Sequence, residues 1–352
     1  MISANTPVYF LHSRVENGGA IPGSDQLTSL YLPDLFDSVQ RKLKSVFANA
    51  PAVAIITDET SDDKGRFVLN VLLAKMEEAP GNSVFLADTI FLEKTNTTVS
   101  QSVVKVVNDY GLSFNSIHIF CTDNATDMQK AFHDTLSVFF PYCMHITCFA
   151  HIMNLIFEAF RKPFTDAAAS GLKYLRIVLE TNCVAANITF ETRAAILHQF
   201  EEAFSLAVQK PDKYMTEGQP GINYVKACRI FKPQNTVLLS RHKEDYSAIL
   251  GFAQISDDEF AKYINVIGSQ AVQNSTDINP LDVLTFWKSV CDRLPSLHTL
   301  AKMYLSSVTT RADAESSFSK YNQILSPQRL SLSEDTIRML EFLYWNLNVV
   351  TS

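Results

Sequence analysis

The sequence predicts an α/β protein: a mixed β-sheet flanked by helices, interrupted by an all-α insertion and completed by a helical C-terminal region. Two observations predict it. Three strand-like runs in succession give way to strands that alternate with helix-period segments, in the order β-β-β-α-β-α-β-α. After that the strand signal stops, and only helical periodicity remains. The bulk numbers allow such a fold, because 352 residues at 47% hydrophobic and 19% charged suffice for a sizeable core.

Residues 1–25 are polar, contain NGGAIPGSD and read as a loop. LPDLFDSVQRKLKSVFANA places Leu35, Phe36, Val39, Leu43 and Phe47 at helical spacing. AVAIIT is a short β-branched apolar run followed by the polar DETSDDKG, a buried strand expected to end at Asp58. RFVLNVLLAKM and SVFLADTIFLE are two further strands, with APGNS between them as a hairpin connection. TTVSQSVVKVVNDYGL is a helix stopped by Gly111. SIHIFCT is the next strand, ending at Asp123, and NATDMQKAFHDTLSVFF the next helix. CMHITC is a short strand leading into the helix FAHIMNLIFEAF.

Residues 26–161 therefore form the first part of the core, and residues 162–280 read as the helical insertion. AAASGLKYLRIVLE, FETRAAILHQFEEAFSLAVQ, KEDYSAILGFAQI and DDEFAKYINVIG are helical by periodicity. Residues 281–348 are expected to supply three helices. The last of them has Ser333 as N-cap and a heavily apolar surface at Ile337, Leu340, Phe342, Leu343 and Trp345. That surface suits either a dimer contact or burial against the chain's own core.

A net charge of −7 argues against a surface coated in basic residues, and no Lys or Arg run reads as a basic tail. MISANTPVYF lacks the pattern of a secretory signal, and no stretch approaches a membrane span. The six cysteines are dispersed, so a disulfide scaffold is not expected. These features suggest a reduced intracellular environment.

Asp58 and Asp123 both fall at the carboxyl ends of apolar strands, the edge where ligands gather in sheets with parallel strands. Neighbouring carboxylates there repel unless a cation neutralises them, and Mg²⁺ or Mn²⁺ suits such oxygen ligands. The blander reading is that Asp123 caps the following helix and that Asp58 joins Glu59, Asp62 and Asp63 in a solvated acidic group. CMHITCFAHIMN brings Cys143, His145, Cys148 and His151 close in sequence. Structural zinc sites draw their ligands from separated segments, so Cys148 and His151 are assigned a packing or hydrogen-bonding role and zinc is not expected. No Walker loop, dinucleotide fingerprint, HExxH or GxSxG occurs. In TTRADAESSFSKYNQIL, Glu315 sits beside a helix face formed by Ala314, Phe318, Tyr321 and Leu325, where an acid needs a partner.

Four segments carry a resemblance to one family. They are AIITDETSD, IHIFCTDNATDMQKAF, CFAHIMNLI and the long C-terminal stretch from FWKSVCDRLPSLHTL through AESSFSKYNQIL to RMLEFLYWN. Together they resemble the hAT superfamily of DNA transposases and their domesticated descendants. The resemblance implies an RNase H-like core in which Asp58, Asp123 and Glu315 are the catalytic, Mg²⁺-binding acids. It implies Cys148 and His151 as the family's C-x-x-H segment, and residues 281–348 as a C-terminal dimerisation region. The implied activity is Mg²⁺- or Mn²⁺-dependent DNA strand cleavage and transfer in the nucleus, by a homodimer.

The sequence departs from the family in three places, one of them a short insertion, with Asp123 and Glu315 only 192 positions apart (315 − 123). No cysteine precedes Cys121, so an N-terminal BED-type zinc finger is not expected in this sequence, and DNA contact is expected to be weak or through partners. The family's Thr-Arg-Trp pattern is not found in the insertion: ETRAAIL has Thr192 and Arg193 but no tryptophan. The alternative to an active enzyme is a non-catalytic, domesticated module that dimerises and joins DNA-bound or chromatin complexes.

Overall fold

The expected strands form and join into one sheet. The computed structural model describes residues 22–76, 84–92, 96–123, 125–162, 190–214, 216, 219–233, 240–270, 280–307, 310–325 and 332–346. In it Val53–Ser61 (β1), Phe67–Lys75 (β2), Val84–Leu92 (β3), Ile117–Thr122 (β4) and Met144–Thr147 (β5) lie in the order β3-β2-β1-β4-β5. The β1–β2 and β2–β3 pairs are antiparallel, while β1–β4 and β4–β5 are parallel. This five-stranded mixed sheet flanked by helices is a mixed α/β fold, consistent with the RNase H-like one expected. The APGNS connection lies outside the described residues.

The central strands are apolar on both faces because both faces are covered. Side chains alternate across a strand, and the two cores divide accordingly. Ala52, Ala54, Ile56, Leu72 and Ala74 face one core, and Val53, Ile55, Leu69, Val71 and Leu73 face the other. The second core is closed by Leu32–Phe47 (α1), Asn96–Asp109 (α2) and the helical segment that begins at Thr126–Ala131 (α3). In α1 the buried residues are Leu32, Phe36, Val39, Leu43 and Phe47, while Leu35 is exposed. Gly111 stops the α2 segment at φ 63°, a left-handed conformation that glycine adopts at little cost.

Beyond β5, Phe149–Arg161 (α4) packs against Phe190–Tyr214 (α5), with the rings of Phe160 and Phe204 5.2 Å apart. AAASGLKYLRIVLE lies outside the described residues. Ile222–Cys228 (α6) and Asp257–Gln270 (α7) follow. Tyr224, Ile230, Phe252 and Tyr263 from this stretch join the first core against the sheet. KEDYSAILGFAQI is not one helix. It forms two 3₁₀ turns, Lys243–Tyr246 and Phe252–Gln254, on either side of Gly251 at φ 83°. A side chain there would also meet Leu300 Cδ2 at 3.1 Å, so only glycine fits the break.

Among the described residues the C-terminal part holds four helices where three were expected: Pro280–Ser289 (α8), Pro295–Leu305 (α9), Ala312–Ile324 (α10) and Glu334–Trp345 (α11). α9 begins after Leu294, because Pro295 has no backbone N–H to donate and is suited to begin a helix. Ser333 caps α11, its hydroxyl accepting from the Thr336 N–H at 3.2 Å. The apolar stripe of α11 lies in the chain's own core. Phe342 packs on Phe36 with centroids 4.7 Å apart, Trp345 donates to the Val84 carbonyl, and Asn346 pairs with both backbone groups of Leu86. Among the described residues no helix is long and apolar enough to cross a membrane.

Candidate functional site

β1 and β4 run parallel, and their pairing ends at Ile56 and Cys121. Asp58 and Asp123 each lie two positions further on, so the register sets them side by side. Asp123 directly follows β4, as expected. Asp58 does not follow β1; it lies within it. The polar DETS continues to pair with β2 as far as Ser61 and Phe67, so an antiparallel partner extends the strand past the point where β4 leaves it. Asp58 is only 5% exposed, not a member of a solvated acidic group. Asp62 instead binds Arg66 and accepts from the Tyr321 hydroxyl at 3.0 Å.

Asp123 has a double role. Its Oδ1 accepts from the Ala125 N–H at 2.9 Å, shaping the turn into α3, while Oδ2 faces the interior of the site. Glu315 stands in the first turn of α10, its side chain 51% exposed. The three acids come from β1, the end of β4 and α10, and they converge on one guanidinium, that of Arg311. Its Nη1 is ion-paired with Asp58 and lies 3.6 Å from Asp123 Oδ2, and its Nε is 3.3 Å from Glu315 Oε1. The Arg311 side chain is 11% exposed. Burial pushes the Asp58 carboxyl up to about 7, against the pull of Arg311 and with the help of Asp123 and Glu315.

Sequence reasoning did not single out Arg311. The available signal was its position four residues before Glu315, which puts both on one helix edge.

The C-x-x-H segment acts as an anchor. The Cys148 N–H donates to the Thr122 carbonyl at 2.7 Å, tying α4 to the end of β4. Its fully buried Sγ accepts from the backbone N–H of His151 at 3.4 Å and of Arg311 at 3.2 Å. Cys148 thus caps α4 and fixes the backbone from which the guanidinium projects. His151 contributes its backbone N–H to this anchor. Nearby, Thr122 Oγ1 and His145 Nε2 are 2.8 Å apart, and burial lowers His145 to about 4, so its ring is neutral near pH 7.

The all-oxygen donor set of Asp58, Asp123 and Glu315 matches the chemistry of Mg²⁺ or Mn²⁺. In the structure the three acids are paired to the Arg311 guanidinium. Among the described residues no group of three or more His, Cys, Asp or Glu is close enough to hold a metal ion. In the conformation described, the acids therefore form an ion cluster around Arg311.

Residues 263–347 match the family model of the hAT family C-terminal dimerisation region. No curated protein matches the chain.

Proposed function

We propose that this hAT-family transposase-like chain, whose C-terminal region supports formation of a homodimer, carries a DDE-type core for DNA strand cleavage and transfer. The observation that carries the reading is the convergence of Asp58, Asp123 and Glu315 from three separate elements of an RNase H-like sheet. Divalent cations bound by these acids would supply activation of water or a 3′-hydroxyl and stabilisation of the leaving oxygen. The chain's own contribution is positional: β1 and β4 set two carboxylates side by side, and α10 brings the third. The substrate is DNA, and the place of action is the nucleus.

A second reading is a non-catalytic module that dimerises within DNA-bound or chromatin complexes. Arg311 favours it, since a guanidinium already supplies positive charge to all three acids.

Nicking of supercoiled plasmid in Mn²⁺ by the purified chain and by Asp123→Asn separates the two. The cleavage reading expects nicking that is lost in the variant. No nicking in either protein, or nicking that survives the substitution, removes it. Light scattering at micromolar concentration then tests the module, and a strict monomer would remove that as well.

A further inference from the structure

We infer that Arg311 is the resident cation of the carboxylate set: its guanidinium fills the place of a divalent ion, and metal enters only when that side chain leaves. The inference rests on reading the three acids as one set, not on strand cleavage. Asp58 lies almost wholly buried within β1, and an ionised carboxylate there needs a counter-charge. Asp123 and Glu315 add negative charge to the same volume, which raises that need. Among the described ion pairs, Arg311 is the cation that reaches each of the three acids. A divalent ion would answer the same need from the same place. Two cations in one such volume repel each other, so occupancy by one excludes the other.

The geometry also supplies a way out. The Arg311 backbone is fixed by its N–H bond to Cys148 Sγ and by its carbonyl, which accepts from the Glu315 N–H at 3.0 Å. Displacement therefore needs only rotation of the long side chain, with α10 kept in place. Glu315 is the exposed member of the set, although the Arg311 Nε beside it is itself buried. The site that results is closed to metal by default and opened by a side-chain movement. Arg311 is a positioning residue that holds the three acids together while metal is absent.

Binding of Mn²⁺ to the full chain tests this, read from the electron paramagnetic resonance signal of free Mn²⁺. Arg311→Met is expected to bind Mn²⁺ at least about tenfold more tightly than the unsubstituted chain. The gain should vanish when Asp123→Asn is added. Thermal melting gives a second readout. Arg311→Met should melt lower than the unsubstituted chain without metal and recover with Mn²⁺, whereas the unsubstituted chain should respond little. Equal or weaker Mn²⁺ binding by Arg311→Met overturns the inference. If that variant stays unfolded even in Mn²⁺, Arg311→Gln decides, since its uncharged amide can still hydrogen-bond the acids and should likewise raise Mn²⁺ affinity. No gain there overturns the inference equally. Absence of plasmid nicking by Arg311→Met together with its gain in Mn²⁺ binding would remove the cleavage reading and leave this one standing.

Discussion

Among the described residues Glu341 is buried with no cation beside it, and its replacement by glutamine should stabilise the protein in a pH-dependent way. The residue lies on α11 at 0% exposure. Its Oε1 accepts from Asn70 Nδ2 at 2.6 Å and its Oε2 accepts from Thr89 Oγ1 at 2.9 Å. Burial pushes its carboxyl up from 4.5 to about 7, partly offset by these two hydrogen bonds. The folded state therefore binds the proton more tightly than the unfolded state between those values. Stability contributed by the protonated form is fully present below 4.5, is lost as pH rises towards 7, and stays lost above it. At about 1.4 kcal/mol per pH unit, the loss is about 3 kcal/mol.

Glu341→Gln keeps the side-chain shape. Its carbonyl can accept from Asn70, and its amide can donate to the Thr89 hydroxyl. The variant should match the parent near pH 5 and exceed it near pH 8 by about 3 kcal/mol. Urea unfolding followed by circular dichroism at both pH values measures this. Comparing the two chains cancels Asp58, which titrates in the same window. A stability difference that is the same at both pH values would refute the account of Glu341 as a buried, unpaired acid.

Phe342→Ala should cost about 3–5 kcal/mol, because the ring is fully buried against Phe36; a loss below about 1 kcal/mol in urea unfolding would contradict that placement. Cys148→Ala should cost about 1–3 kcal/mol by leaving the His151 and Arg311 N–H groups without an acceptor. Amide hydrogen exchange at those two positions should accelerate, and unchanged exchange would show that the sulfur does not hold them.

The sheet was legible in the sequence because its signal is local. Val53–Ile56 is apolar and β-branched, and β4 and β5 alternate with helices, so period alone gives the order of elements. The two aspartates were legible for the same reason, since they follow apolar runs. The length of β1 was not, because DETS is polar and reads as a turn, and only its partner β2 holds it extended. The stripe on α11 shows that something covers it, but not which molecule does. Arg311 was hidden for a different reason. An arginine just before a helix reads as a solvated residue, and its neighbours Asp58 and Asp123 become neighbours only when α10 returns to β1.

The matched region, residues 263–347, is not an appendage to the core. Tyr263 at its start is fully buried and stacks on Trp287 with centroids 5.2 Å apart, within the core on one face of the sheet. Phe342 near its end is fully buried in the core on the opposite face. Between them α10 spans the carboxylate site, with Glu315 at one end and Tyr321 bound to Asp62 further along. Arg338 on α11 adds an ion pair to Asp88 on β3. A region that closes both faces of the sheet folds only with that sheet, so the core and the dimerisation region form one cooperative unit. Any dimer contact must then use surface left over from this internal packing, such as the exposed Leu305 and Tyr344, and not the buried stripe of α11. A contact at Tyr344 would bear on the helix pair that carries Glu315, because its hydroxyl bonds Gln323 of α10 at 3.1 Å. Such a contact would reach the acid set through α10, whose first turn holds Glu315 and whose N-cap is Arg311.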